Sequence, residues 1–312
     1  MGKAILKTSP PNLQKYLLIT FVLQLVWGLV PSASKLVIDE IPVELYIAVR
    51  WTISGLVFAL MLLFSRLWMR ISLKDFMAVS LLGIFGYALA SAGTLYGLKT
   101  GGVINFALVG ALSPAITSLV AIAVLRERPA RKFYFALPLL TLGLILLVLG
   151  KYQTSSLQIV ALGLIFILGG YILEALVFIY SKKFKDRMST VQYLAVAQLS
   201  AAAFAWMLQL SYFHQSSFLF GMSAKAIGAA VFVSLIACVL CYLVLYWLLN
   251  HLDGHVIALF DGVHSLSAII CGYFLFREKL TLIMALGGVL ILCGIIIGNW
   301  PNKKVREELN SG

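Results

Sequence analysis

Along this chain apolar residues come in long unbroken runs rather than in alternation with polar ones. Each run is about twenty residues long and ends where charge, proline or glycine interrupts it. A helix rises 1.5 Å per residue, so about twenty apolar residues cross the roughly 30 Å of hydrocarbon in a bilayer. Within hydrocarbon the backbone must satisfy its own polar groups, which a helix does internally. The pattern therefore predicts an all-α integral membrane protein with ten transmembrane helices. They fall at 15–37, 43–65, 75–97, 101–125, 132–150, 157–181, 190–213, 225–249, 254–276 and 281–300.

Lys and Arg test that count. With the N-terminus in the cytoplasm and the chain alternating, cytoplasmic segments hold 3 residues up to Lys15, 3 from Arg66 to Lys74, 4 from Arg126 to Lys132, 4 from Lys182 to Arg187, and 3 from Lys303 to Arg306. The opposite side holds Lys99, Lys151, Lys225, Arg277 and Lys279, so the bias is 17 against 5. Positive residues stay inside, and this asymmetry predicts an even number of spans with both termini cytoplasmic. The short N-terminus, with Lys3, Lys7 and Pro10-Pro11, lacks a small-residue cleavage site. The first run reads as a retained helix, not a signal peptide.

Composition sharpens the class. Of 312 residues, 62% are hydrophobic and 12% charged, with a mean hydropathy of +1.00; soluble domains carry about twice that charge. The net charge of +12 sits in short clusters between apolar runs, which is the pattern of topology signals and lipid-headgroup contacts, not of nucleic-acid binding. Cys238, Cys241, Cys271 and Cys293 all lie inside apolar runs and read as small buried hydrophobes. No cofactor motif is present. No G-x-x-x-x-G-K-[ST] phosphate loop occurs, so ATP hydrolysis within this chain is not expected.

The chain repeats. Shifted by 151 residues, Ala107-Leu108 falls on Ala258-Leu259, Arg126-Glu127 on Arg277-Glu278, Leu139 on Leu290 and Gly143 on Gly294. Shifted by 147, Leu29-Val30 falls on Leu176-Val177, Ser34-Lys35 on Ser181-Lys182, Tyr46 on Tyr193 and Ala48-Val49 on Ala195-Val196. The halves divide at 1–150 and 151–312. Five is odd, so the second half crosses in the opposite sense: two inverted five-helix repeats, an architecture of alternating access.

The residues that punctuate these halves resemble the EamA-type members of the drug/metabolite transporter superfamily. They are Trp27-Gly28, Pro42 followed by Arg50, and Pro114 running through Arg126-Glu127 to Gly143. Phe276-Arg277-Glu278-Lys279 leading to Gly287-Gly288 and Gly294 echoes them. The resemblance implies a ten-helix fold with a central cavity and export of amino acids, related metabolites or drugs. Two departures stand out. Ser265 replaces the second-half counterpart of Pro114, and Glu174 stands where the family often has an aromatic residue.

Ionisable groups at membrane depth mark function by default. Four stand out: Arg50, Glu174, Asp261 and His264. Counting along the spans places Glu174 and Asp261 at one depth in the inner half, with His264 a turn beyond Asp261. This suggests a polar, proton-exchanging or ammonium-binding site, with Arg50 receiving a carboxylate from the outer half. The alternatives are structural: Arg50 paired with Glu44 or a helix-end carbonyl, and Asp261 tied to His264 or a neighbouring serine. Trp27, Tyr87, Pro114, Tyr171, Tyr242 and Tyr246 are candidate cavity walls. Glu127 and Glu278, at helix ends beside Arg, read as loop clamps or gate contacts, and Lys35 as snorkelling. The small-residue stripe Gly83, Gly86, Ala90, Gly93 and Gly97, with Gly294 and Gly298, predicts close helix packing.

The expected function is secondary transport of a small-molecule substrate, an amino acid or similar polar metabolite, by an exporter in a cell membrane, a bacterial inner membrane fitting best. The competing readings are a membrane-embedded enzyme acting on lipid-linked substrates and a passive channel. His251 and His255 have i, i+4 spacing but flank Asp253-Gly254, which breaks a helix, so no metal site is expected. Whether the chain pairs as a homodimer is not written in the sequence.

Overall fold

A computed structural model describes residues 13–65, 67–125, 131–152, 157–184, 186–210, 221–249, 251–252, 257 and 260–299. The described residues form helices α1 (Leu13–Ile38), α2 (Val43–Phe64), α3 (Leu73–Gly83), α4 (Ala90–Gly101), α5 (Val103–Gly110), α6 (Ser113–Leu125), α7 (Arg131–Tyr152), α8 (Leu157–Ser181), α9 (Thr190–Leu210), α10 (Ala224–Val231), α11 (Tyr242–Leu249), α12 (Asp261–Phe276) and α13 (Leu282–Asn299). Ile84–Leu89 joins α3 to α4, and Phe232–Cys241 joins α10 to α11, as π-helix.

Six helices among the described residues are long and apolar enough to cross a membrane: Gln14–Ile38, Val43–Phe64, Leu73–Gly101, Ala161–Ser181, Thr190–Gln209 and Ala224–Leu248. A seventh arises if α5 and α6 count as one span bent by 44°. Pro138–Gly150, Gly262–Phe276 and Leu282–Gly294 are apolar but shorter. The expected span 101–125 is thus two helices. Pro114 has no N–H and its ring displaces the carbonyl four residues back, and Gly110 at that position lies against the Tyr171 hydroxyl. Leu112 N–H donates to Val109 rather than continuing the ladder (3.0 Å).

Helix ends follow local chemistry. Ser72 caps α3 by accepting from Asp75 N–H (3.1 Å), and Ser223 caps α10 by accepting from Ala226 N–H (3.2 Å). Gly102, at φ +81°, turns the chain from α4 into α5. Gln192 ties the segment before α3 to α9, its carboxamide accepting from Met69 N–H (3.1 Å) and donating to Met69 O (2.8 Å).

The packing is the same when the halves are exchanged. The second helices of the halves pack together (α2 on α9), as do the fifth (α7 on α13). The third helix of the first half packs on the first helix of the second (α4 on α8), and α10 with its π segment packs on α1. α6 on α8 matches α12 on α1. The α2–α9 seam carries the main core, with Tyr46, Trp51, Phe58 and Leu194, joined by Val233 of the second π segment. The α7–α13 seam carries a second, with Leu140, Leu147, Met284 and Ile291.

Glycines set the spacing. A Cβ on Gly143 would lie 2.7 Å from Gly287 O, and one on Gly287 2.7 Å from Gly143 O. In the predicted stripe, Gly83 meets Ala197 O, Gly93 meets Phe166 O and Gly97 meets Gly163 O, at 2.2–2.8 Å for a hypothetical Cβ. These contacts put backbones too close for any side chain, as small-residue stripes do between membrane helices.

Candidate functional site

Arg50 lies on α2, four residues after Tyr46 and so on the same helical face. Its guanidinium sits 4.2 Å over the Trp51 ring and 6.0 Å from that of Tyr46. Nη2 donates to Ser91 Oγ (3.4 Å), and the side chain reaches the Tyr46 hydroxyl and the Cys238 thiol. Nε is buried with no partner. The Tyr46 and Ser34 hydroxyls share a hydrogen bond (3.1 Å). The alternative pairing of Arg50 with Glu44 does not form; Glu44 accepts from the Tyr96 hydroxyl.

Glu174 interacts electrostatically with Arg50 and Tyr242. Counting from span ends separated Glu174 and Arg50 into inner and outer halves; the fold brings their charges into range. Their relation is through space. The ion pairs among the described residues are Lys35–Asp39 (3.1 Å) and Arg187–Asp75 (2.8 Å).

The rotation of α8 shows what lies between them. Its outward stripe is Leu162, Ile165 and Ile172, exposed to 48%, 67% and 44%. At about 100° per residue, Glu174 points about 200° away from Ile172. It belongs to the inward stripe Ile167, Tyr171, Glu174 and Phe178. Ile167 and Tyr171 are buried, while Glu174 is exposed and Phe178 is 42% exposed. The inward face of α8 is therefore packed in its first half and accessible at Glu174 and Phe178.

Aromatic rings enclose the Arg50 side. Trp51 and Tyr87 meet edge-on at 5.0 Å, Tyr87 and Tyr242 lie 6.1 Å apart, and Trp27 meets Tyr242 edge-on at 5.9 Å. Tyr246, one turn from Tyr242, is half-buried. Of the expected wall residues, Trp27, Tyr87 and Tyr242 thus gather in one cluster. Tyr171 instead packs on Phe106, 6.1 Å between rings, with its hydroxyl at Gly110; Pro114 opens α6 beyond that elbow.

His264 lies on α12, where its carbonyl faces Gly28 of α1 and Ser267 Oγ donates to Leu25 O (3.1 Å). Asp261 opens α12, but its side chain is outside the described residues, as are Glu127, Asp253, Gly254 and His255. His251 stacks on Tyr16 at 4.8 Å and meets Trp247 at a tilt, 4.7 Å between rings. No cluster of three metal-ligating side chains occurs among the described residues. Glu278 is a clamp between the halves: its carboxylate accepts from Val103 N–H and Ile104 N–H, both at 2.8 Å.

At the end holding Glu40, a cavity of about 520 Å³ is lined by Asp39, Glu40, Glu44, Tyr96, Lys99 and Gln209. Sequence reasoning missed the shell of Ser34, Tyr46, Trp51, Ser91 and Cys238 around Arg50. The four-residue spacing of Tyr46 and Arg50 was the signal available.

Multiple long apolar helices and glycine-tight seams define a multi-pass helical membrane protein. The chain belongs to the EamA-like transporter family, whose model matches it twice, over residues 14–149 and 161–300. The protein is thus a membrane transporter of the drug/metabolite transporter superfamily, built from two repeats. Sixteen chains of solved structures match. One, described only as a crystal structure of a protein, shares the fold at TM-score 0.65 and 17% identity, covering 92% of this chain and 98% of its own. No curated protein matches.

Proposed function

We propose that this protein is a secondary transporter that exports small polar metabolites such as amino acids by alternating access. Its ten spans form two inverted five-helix repeats, with both termini in the cytoplasm of a bacterial cell. The observation that carries the reading is the inward stripe of α8, packed through Tyr171 and open from Glu174, with Arg50 facing it electrostatically. A cation on one repeat in electrostatic range of a carboxylate on the other suits a zwitterion. Arg50 takes the cargo carboxylate and Glu174 the ammonium group, with Asp261 and His264 serving the cytoplasmic side and proton exchange. The direction of export rests on the family resemblance.

The test is counterflow in proteoliposomes loaded with a mixed amino-acid and metabolite pool, comparing the parent chain with Glu174→Gln, Asp261→Asn and Arg50→Gln. Saturable exchange of one zwitterionic solute class, lost in Glu174→Gln and Arg50→Gln, is expected. Normal exchange in those two variants would remove the site and leave the transporter. No exchange by folded protein would favour an enzyme acting on lipid-linked substrates.

A further inference from the structure

The π segments occupy the same place in both repeats. Ile84–Leu89 and Phe232–Cys241 begin 148 residues apart (232 − 84), inside the third helix of each half. In π-helix the backbone bonds i to i+5, so the ladder steps out of register and carbonyls there lose their ordinary partners. A side chain from the neighbouring second helix supplies a donor each time. Trp51 Nε1–H donates to Tyr87 O (2.8 Å), and Gln198 Nε2–H donates to Cys238 O (3.4 Å). Trp51 and Gln198 are 147 residues apart (198 − 51), and Tyr87 and Cys238 are 151 apart (238 − 87), the same offsets that relate the repeats. Two different side chains thus perform one task at equivalent positions, which packing of an apolar core does not require.

The braces are unequal. Trp51 is 1% exposed and its bond is short; Gln198 is fully buried, its bond is long and its Oε1 has no partner. A buried amide with an orphaned acceptor is costly, so the second repeat's brace is slack here while the first is tight. Both meet at one group, because the Arg50 guanidinium covers the Trp51 ring and reaches the Cys238 thiol.

We propose that the two π segments are the paired hinges of alternating access, with Trp51 and Gln198 as the positioning residues that hold them. Arg50 is the link through which bound cargo is felt at both. This rests on the transporter reading above. In inverted repeats the two halves exchange conformations as access switches sides, so the opposite state has a slack Trp51 brace and a tight Gln198 brace.

The test uses the full chain in proteoliposomes, with Trp51→Phe and Gln198→Leu each removing a donor. A cysteine at Phe178, on the open stretch of α8, is labelled by a membrane-impermeant maleimide from each face, and parent labelling is subtracted. Loss of one hydrogen bond moves a two-state balance about threefold to tenfold. The two variants are therefore expected to shift labelling by that factor in opposite directions, while Gln198→His, which keeps an N–H donor, stays near the parent. Hydrogen exchange should rise locally, at 84–89 in Trp51→Phe and at 232–241 in Gln198→Leu. Shifts in the same direction, no shift, or exchange raised throughout the chain would overturn the hinge assignment. Opposite shifts in a protein that fails counterflow would leave the hinges standing and overturn the transport reading.

Discussion

The Glu278 clamp offers the cleanest energetic test of how the repeats are joined. Its two carboxylate oxygens take the N–H groups of Val103 and Ile104 at 2.8 Å, two of the donors that the start of α5 cannot satisfy internally. Hydrogen bonds to a charged group contribute about 1.5–3 kcal/mol each, and a carboxylate at a helix N-terminus adds a few tenths to about 1 kcal/mol. Water replaces part of this at a half-buried site, so Glu278→Ala should cost about 3 kcal/mol. Glu278→Gln, which keeps one acceptor but no charge, should lose about half of that. Gly102 supplies an independent route to the same contact. A Cβ there would stand 2.6 Å from Glu278 Oε1, at a φ of +81°. Gly102→Ala should therefore displace the carboxylate while leaving Glu278 intact, and the double variant should lose less than the sum of the two. The assay is thermal unfolding in detergent followed by fluorescence size exclusion, where about 3 kcal/mol should lower the midpoint by about 5 °C or more. A midpoint within about 1 °C of the parent for Glu278→Ala, or strict additivity in the double variant, would refute the clamp.

Three further outcomes follow from the packing. Glu40 accepts from Ser223 Oγ (2.6 Å) and Ser223 N–H (2.7 Å), and these bonds hold its carboxyl below the ordinary value of 4.5. A depressed folded value means that the contribution is present above the unfolded value and lost as pH falls through the folded one. The thermal midpoint of the parent should thus drop more steeply below about pH 4.5 than that of Glu40→Gln; parallel curves would count against it. Gly143→Ala places a Cβ 2.7 Å from Gly287 O and should cost about 1–3 kcal/mol by forcing the α7–α13 seam apart; an unchanged midpoint would show that the seam yields freely. Arg187→Ala removes an ion pair to Asp75 whose partners are 59% and 19% exposed, and should change stability by less than about 1 kcal/mol; a loss above 2 kcal/mol would contradict that screening argument.

Much of the candidate site was legible one residue at a time, but not as a constellation. Arg50 and Glu174 stood out because charge inside an apolar run is costly wherever it falls. Their electrostatic coupling did not, because depth counted from span ends ignores helix tilt and the break at Pro114. The Tyr171 position shows the same gap: its place mid-span suggested a cavity wall, while the turn of α8 aims it at Gly110 instead. The π segments left no sequence signal, since a one-residue register slip changes neither the length nor the hydropathy of a run.

By itself, the sequence determined the membrane class, the duplication, the small-residue seams and most helix ends. These depend on quantities that add along a chain: apolar length against bilayer thickness, matched offsets, missing side chains and local caps. The tertiary structure alone decided which charges face one another, that the inward side of α8 opens at Glu174, and that Trp51 and Gln198 meet carbonyls far away in the chain. Those depend on the rotation of each helix about its axis. At about 100° per residue, one slipped position re-aims a side chain from lipid to cavity, and that rotation is fixed only when the helices pack.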